Sequence, residues 1–375
     1  MKIAYVFGSL NPGGSERQTA QIVVRLREKG HDVTVLLPNG SGHMEGNLRP
    51  YLMAHGVPMI DCAARPNKLT ALIDALRELQ PQIVNSNGYP ITLYGTLAAY
   101  RVGVPVRVIR YETTGFTRNQ FPMDWVFEFA GHRAATHVVA NSRAVMKALP
   151  NYIGIDAAPA RIIPNGVTVP ATVTPEMRQQ AHGYWSVDDE ALIIGHLANF
   201  REDGLKNQIM LVRAMARVTQ VYPNARAVLC GYPSPYRDKV GAEIKRLGLR
   251  DKVLMPGRLD DLDLLAGWDI AVNTSHTEGL SNAVQECMAY GLPVVATAVD
   301  GNLDLIDHER TGLLVGDDDD AALANALIRL IADPDYRRTL GKAGRERMQE
   351  AYNWDYVLAQ WIALYEEGLS DERTG

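Results

Sequence analysis

Twice along the chain, short runs of β-branched and aliphatic residues alternate with longer amphipathic stretches, and this alternation is the strongest constraint on the fold. The first series opens on KIAYVF (Lys2–Phe7), a glycine-bearing turn, an amphipathic run through Lys29 and a second apolar run at Asp32–Leu37. Strand, helix, strand in that order is a parallel-sheet unit, because parallel neighbours need a crossover of a dozen or more residues. Further strands are expected at Gln82–Asn85, Val106–Arg110 and His137–Ala140, with a helix over Thr92–Arg101. The pattern breaks at PNGVTVPATVTP (Pro164–Pro175), where three prolines mark a linker. A second series then predicts strands at Leu192–His196, Arg226–Cys230, Lys252–Met255, Ile270–Asn273, Pro293–Ala296 and Gly312–Val315. The reading is two doubly wound α/β domains, 1–166 and 167–353, followed by an amphipathic helix from 354 whose Trp354, Leu358, Trp361 and Tyr365 share a face.

Length agrees, since 375 residues exceed the ~250–300 at which single cores stop growing. With 46% apolar residues and a net charge of −5, the chain has enough apolar surface for two cores and is not expected to be disordered. No apolar run approaches the ~20 residues of a spanning helix, and the N-terminus reads as a strand rather than an export signal. Cys62, Cys230 and Cys287 are widely spaced and odd in number, which favours neither a zinc site nor a disulfide framework and fits a reducing cytoplasm. The first 165 residues carry 17 Lys and Arg against 11 Asp and Glu, a balance of +6, and the remainder 21 against 32, or −11. The basic half reads either as ordinary surface variation or as a face for an anionic acceptor or membrane; no nucleic-acid partner is expected.

In sheets of this kind ligands sit at the carboxyl ends of the strands, so the loops there carry the chemistry. In the first, Gly13 and Gly14 precede a helix and bring bare amides and a positive helix end towards an anion, or simply make a tight turn. The dinucleotide pattern G-x-G-x-x-G is absent, which argues against NAD. In the second, HLANFREDGLKNQ, Arg201 and Lys206 lie just before the helix Asn207–Val221, where two cations and a helix start suit one anion. In the third, TSHTEGLSNAVQECMAYGLPVVAT, Glu278 and Glu286 stand eight residues apart, the first in a loop and the second about two turns further on. Their carboxylates suit sugar and ribose hydroxyls, while the Gly279–Asn282 amides suit phosphate or hydroxyl oxygens. His276 reads either as a donor-sugar contact or as a hydrogen-bonded loop histidine. The Asp317–Asp320 run reads as helix capping rather than a metal site.

EGLSNAVQE resembles the E-x7-E signature of family 4 retaining glycosyltransferases, and MAYGLPVVAT resembles the segment that accompanies it. PGGSERQ, VVANS (138–142), IPNGV (163–167), the Arg201/Lys206 loop and GLLV (312–315) resemble family segments in the family's order. The resemblance implies a GT-B fold, two Rossmann-like domains facing a central cleft, with the acceptor mainly on the first, a nucleotide sugar mainly on the second, and the last helix (about 354–375) returning to the first. It further implies that Arg201 and Lys206 hold the donor diphosphate, that Glu278 contacts a sugar hydroxyl and that Glu286 binds the ribose. Gly13 and Gly14 would close over the phosphates, and the backbone of Gly279, Leu280, Ser281 and Asn282 would line the sugar and phosphate. Gly257, Arg258 and Leu259 are candidates for the nucleobase, expected to be uridine.

No Asp-x-Asp follows a first-domain strand, and the one at Asp261–Asp263 reads as a helix start, so a metal-independent reaction is expected with the nucleotide sugar as co-substrate. Retention of anomeric configuration is inherited from the resemblance. One departure stands out: the family's histidine after the strand Val106–Arg110 is missing from IRYETTG, and Glu112 is the nearest stand-in, beside Arg110 and Thr113. Asn87 occupies another position where a histidine is frequent. FPMDWVFEFAGHR, with Phe121, Trp125, Phe127 and Phe129 near Arg118 and Arg133, reads as core or as an acceptor or membrane-facing wall. The expected acceptor is a hydroxyl of a lipid-linked sugar, glycan or small molecule, met in the cytoplasm or peripherally at the inner membrane face. A nucleotide-sugar epimerase and a non-catalytic sugar-binding protein are the alternatives.

Overall fold

The computed structural model describes residues 1–11, 13–40, 47–63, 67–87, 91–114, 130–153 and 160–374. The chain divides into two compact units, Met1–Gly166 with Asp355–Gly375, and Val167–Trp354.

Unit 1 is a seven-stranded parallel sheet of β1 (Lys2–Phe7), β2 (Asp32–Leu37), β3 (Met59–Asp61), β4 (Ile83–Asn87), β5 (Val106–Tyr111), β6 (His137–Ala140) and β7 (Ala160–Ile162) in the order β3-β2-β1-β4-β5-β6-β7. Among the described residues its crossovers include α1 (Gly14–Glu28), α2 (Arg49–Ala54), α3 (Lys68–Leu79), α4 (Ile91–Val102) and α5 (Arg143–Ile153). Successive side chains of a strand point to opposite faces. Ala4 and Val6 of β1 therefore pack with Leu36, Val84, Leu72, Leu76 and Ala98 on one side. Tyr5 faces the other way, where its hydroxyl lies 2.7 Å from that of Tyr365.

Tyr365 belongs to the last helix, α13 (Trp354–Thr374), and also accepts from Asn85 Nδ2 at 2.9 Å. Arg161 of β7 pairs with Glu367, and the Arg110 guanidinium lies over the Trp361 ring at 5.5 Å. Trp354, Leu358, Trp361 and Tyr365 are all buried, which is the face read from their spacing. The helix continues seven residues beyond Glu367.

Unit 2 is a six-stranded parallel sheet of β8 (Leu192–Leu197), β9 (Ala225–Cys230), β10 (Val253–Gly257), β11 (Ile270–Asn273), β12 (Val294–Thr297) and β13 (Leu313–Val315), ordered β10-β9-β8-β11-β12-β13. Its helices are α6 (Pro175–Trp185), α7 (Gln208–Val221), α8 (Tyr236–Arg246), α9 (Asn282–Ala289), α10 (Asn302–Leu305), α11 (Asp320–Ala332) and α12 (Pro334–Ala351), with a 3-10 turn at Leu262–Gly267. Ile194 faces a core with Met210, Leu211 and Leu327, while Ile193 faces Trp268, Val284 and Met288. Trp268 lies so close to Gly195 that a Cβ there would come within 1.9 Å of its ring, so Gly195 makes room for the indole. Among the described residues no helix is long and apolar enough to cross a membrane.

In each sheet the chain reverses its direction of travel once. It leaves β1 towards β2 but β4 towards β5, and it leaves β8 towards β9 but β11 towards β12. The loops after β1 and β4, and after β8 and β11, therefore diverge and open a crevice at the carboxyl ends of adjacent strands.

Candidate active site

In unit 2 the crevice is lined by the loops that follow β8 and β11. The first ends at Asn207, the N-cap residue of α7, in a left-handed conformation (φ 43°) that a short polar side chain tolerates. Its amide group donates to Asp318 Oδ1 at 2.7 Å. The amide of His276 donates to the Leu205 carbonyl at 2.9 Å, and the Thr274 hydroxyl to the Lys206 carbonyl at 2.9 Å. These bonds join the two loops and bring Lys206 Nζ to 2.7 Å from Glu278 Oε1. The same oxygen accepts from Ser275 Oγ at 2.7 Å and from Asn273 Nδ2 at 3.1 Å. Burial alone would raise the Glu278 pKa, but the Lys206 charge and the three hydrogen bonds together outweigh it and hold the carboxyl below its usual range. Glu278 is thus an ionised, almost buried carboxylate with one cationic and two neutral partners.

Arg201 lies in the same loop but turns to Asp203, in a fork with Nε at 3.1 Å and Nη2 at 2.6 Å from its carboxylate oxygens. Both side chains are about half exposed, so the pair contributes about 0–1 kcal/mol and Arg201 is readily released to another anion.

The Glu278 backbone is fixed from the far side. Its carbonyl accepts from the Gly301 amide at 3.0 Å, and Thr277 Oγ1 donates to Asp300. A Cβ on Gly301 would lie 2.0 Å from the Gly279 carbonyl oxygen, so only glycine allows this approach. Asn273 holds three segments at once: Nδ2 serves Glu278 and, at 3.3 Å, Ser281 Oγ, while Oδ1 accepts from Asn302 at 3.0 Å. Ser281 caps α9 by accepting from the Val284 amide, and the Leu280 side chain is buried in the core, so both side chains are turned into the protein. Because α9 begins at Asn282, Glu286 sits one turn into the helix rather than two, half-buried. Gly279–Ser281 are not helical, so helical counting from Glu278 overstated the depth.

His276 Nδ1 meets Asp317 at 2.9 Å, which makes it a hydrogen-bonded loop histidine. Asp319 caps α11 through the Ala322 amide at 2.8 Å. Asp261 caps the 3-10 turn, and Asp263 accepts from the Tyr290 hydroxyl at 2.7 Å. Gly257 (φ +99°) ends the edge strand β10, and its carbonyl accepts from the Gly231 amide at 2.8 Å. Gly231 in turn packs on the Ala198 carbonyl, so this turn joins the rim beside the β8 loop. Arg258 stacks on Tyr232 at 4.9 Å and pairs with Asp260 at 2.6 Å, whereas the Leu259 side chain belongs to the core.

In unit 1, Gly13 is the N-cap of α1, but the space above it is filled by Glu16, whose Oε2 would lie 2.2 Å from a Cβ on Gly13. The carboxylate of the helix itself thus occupies the place expected for an anion. Burial raises the Glu16 pKa, its own backbone amide opposes this, and the charge of Glu112 raises it further. Glu112 follows β5 and pairs with Arg110 at 2.8 Å, both side chains being nearly buried. Arg110 Nη2 also donates to Asn165 Oδ1 at 2.8 Å. Asn87, at the end of β4, donates to Ser15 Oγ at 3.3 Å and to Thr19. Phe121, Trp125, Phe127, Phe129 and Arg118 lie outside the described residues.

Sequence reasoning passed over His196, Asn273, Thr274, Ser275 and Gly301. The polar run NTS at a strand end was the available signal for three of them.

Two doubly wound parallel-sheet units are the architecture of the GT-B class of glycosyltransferases that the sequence resemblance implied. The family comparisons agree: residues 12–169 match the profile of Glycosyltransferase Family 4, and residues 178–347 that of Glycosyl transferases group 1. The chain belongs to this family. It is 31% identical over 396 aligned positions to a D-inositol 3-phosphate glycosyltransferase of Pseudarthrobacter chlorophenolicus, covering 96% of this chain and 91% of that one. It is 30% identical over 202 positions to the N-acetyl-alpha-D-glucosaminyl L-malate synthase of Bacillus anthracis, where the match spans 53% of this chain and about half, 51%, of that protein. The crystal structure of Anabaena Alr3699/HepE in complex with UDP-glucose superposes with a TM-score of 0.86 at 22% identity, covering 99% of this chain and all of that one.

Proposed function

We propose that the protein is a retaining, metal-independent glycosyltransferase that moves a sugar from a nucleotide donor, preferably a UDP-sugar, to a hydroxyl acceptor. The observation that carries this reading is the Lys206–Glu278 pair on the loops after adjacent strands β8 and β11. Breaking a glycosyl–diphosphate bond builds negative charge on the leaving group, and a cation fixed there lowers the barrier. Lys206 is fixed. When it turns to a phosphate, Glu278 keeps Asn273 and Ser275 as donors and remains an acceptor for a sugar hydroxyl. Arg201 needs only to leave Asp203 to join it. Glu286 takes the ribose, the Gly279–Asn282 backbone lines the sugar and phosphate, and the Gly257–Leu259 turn lies towards the base. The similar HepE was crystallised with UDP-glucose, which supports a UDP-sugar.

On this reading unit 2 binds the donor and unit 1 the acceptor, with Glu112 on the acceptor side. The acceptor is a lipid-linked sugar, a glycan or a small molecule, reached from the cytoplasm or peripherally at the membrane.

The test is a thermal-shift panel of UDP-glucose, UDP-N-acetylglucosamine, GDP-mannose and their nucleotides, since a ligand that binds only the folded state raises its apparent stability. UDP-sugars are expected to raise the melting temperature and GDP-mannose to leave it unchanged. Stabilisation by no nucleotide overturns the reading.

A further inference from the structure

His196 is the second-to-last residue of β8, buried and directly beside β11, and the reaction outlined above gives it no task. Its Nε2 lies 3.0 Å from Thr274 Oγ1, and that hydroxyl donates its only proton to the Lys206 carbonyl at 2.9 Å. The Thr274 oxygen can therefore only accept from the ring, which fixes the proton on Nε2 and makes His196 the neutral tautomer with Nδ1 bare. Among the described residues Nδ1 has no hydrogen-bond partner. Burial, reinforced by the nearby charge of Lys206, outweighs the opposing effects of Glu278 and of the Lys206 and His196 backbone and keeps the ring from taking a second proton. The result is a one-way chain of donors, imidazole to hydroxyl to carbonyl, that starts in the sheet and ends on the backbone of Lys206.

We propose that His196 is the positioning residue of the donor site, acting through Thr274 to hold the Lys206 backbone so that its ammonium group presents to an anionic ligand beside Glu278. The proposal rests on the donor-site reading above. Three features support it. The chain attaches to the carbonyl of Lys206 itself rather than to a distant part of its loop. The neighbouring contact, His276 amide to Leu205 carbonyl, fixes the preceding residue, so two consecutive carbonyls of a ten-residue loop are tied to β11's loop. A neutral donor at this place adds no second positive charge to repel the Lys206 side chain.

The experiment measures UDP binding by calorimetry to the full chain and to five variants, with unliganded melting temperature and circular dichroism as checks of folding. Thr274→Val removes the hydroxyl at nearly constant shape and is expected to weaken UDP binding about tenfold; Thr274→Ser restores the hydroxyl and is expected to bind as the wild type. His196→Leu is expected to match Thr274→Val, and the double variant to lose no more than either single one, because both interrupt the same chain. Wild-type binding by Thr274→Val, failure of Thr274→Ser to recover it, or additive losses overturn the positioning role. Lys206→Ala is the reference. Loss of binding there together with wild-type binding in Thr274→Val overturns this proposal alone, whereas wild-type binding by Lys206→Ala overturns the donor-site reading and the proposal with it.

Discussion

Lys206 Nζ and Glu278 Oε1, 72 residues apart in sequence, meet at 2.7 Å on loops that leave adjacent strands in opposite directions. The pair is partly buried and its carboxylate has two further donors, which distinguishes it from the surface pairs around it. Its coupling is open to measurement. A double-mutant cycle of Lys206→Met and Glu278→Gln in urea denaturation is expected to give an interaction of about 1–3 kcal/mol, within the range for residues in direct contact. Additive effects would show that the two side chains do not stabilise one another.

Arg110 predicts a different outcome from its neighbour. Its guanidinium pairs with Glu112, donates to Asn165 and lies over Trp361, nearly out of contact with solvent. Arg110→Met strands a buried carboxylate and is expected to lower stability by about 3–5 kcal/mol. Adding Glu112→Gln removes the stranded charge and should recover part of that loss. A double variant less stable than Arg110→Met would contradict the pairing.

His196 gives stability a pH dependence with a definite sign. Its pKa is lowered by burial and by Lys206 to about 4, against 6.5 for the free side chain. Between these values the unfolded chain binds the proton and the folded one does not, so stability rises with pH from 4 to 6.5. The contribution is about 3 kcal/mol from end to end. Urea titrations across that interval should show a steeper rise for the wild type than for His196→Gln; equal slopes would mean that the ring is protonated in the folded protein.

Two glycines that both look crowded should respond to different degrees. At Gly301 an added methyl group meets the Gly279 backbone, which cannot yield, so Gly301→Ala is expected to lose about 1–3 kcal/mol in denaturation and to weaken UDP binding through Glu278. At Gly13 the obstacle is the free end of the Glu16 side chain, and φ is −74°. Gly13→Ala should therefore unfold within about 0.5 kcal/mol of the wild type. Equal destabilisation of the two would refute this account.

The strands of both cores were legible because a parallel strand covered on both faces reads as a continuous apolar run, as DVTVLL and LIIGHL do. β3 and β7 escaped because these three-residue edge strands, MID and ARI, each carry a charged residue, whereas the equally short edge strand β13, LLV, is wholly apolar. Arg201, Lys206, Glu278 and Glu286 stood out through residue type and spacing. The link from His196 to Thr274 did not, because it depends on β8 lying beside β11 in a register that pairs His196 with Val272. No local pattern encodes that choice of neighbour. The Glu16 carboxylate over Gly13 was hidden for a related reason: glycines before a helix announce room for an anion without saying which anion takes it.

The last helix has a consequence for how the chain matures. Tyr365 is made 360 residues after its partner Tyr5. By then all of Val167–Trp354 has been synthesised, and its ends are already joined where the Val167 amide donates to the Tyr352 carbonyl at 2.8 Å. The second sheet can therefore complete its core during translation, whereas the first stays unsealed until α13 has been made. A chain cut short before α13 would keep every residue singled out in the donor site and still expose the side chains of Tyr5, Asn85 and Arg110 that the helix covers.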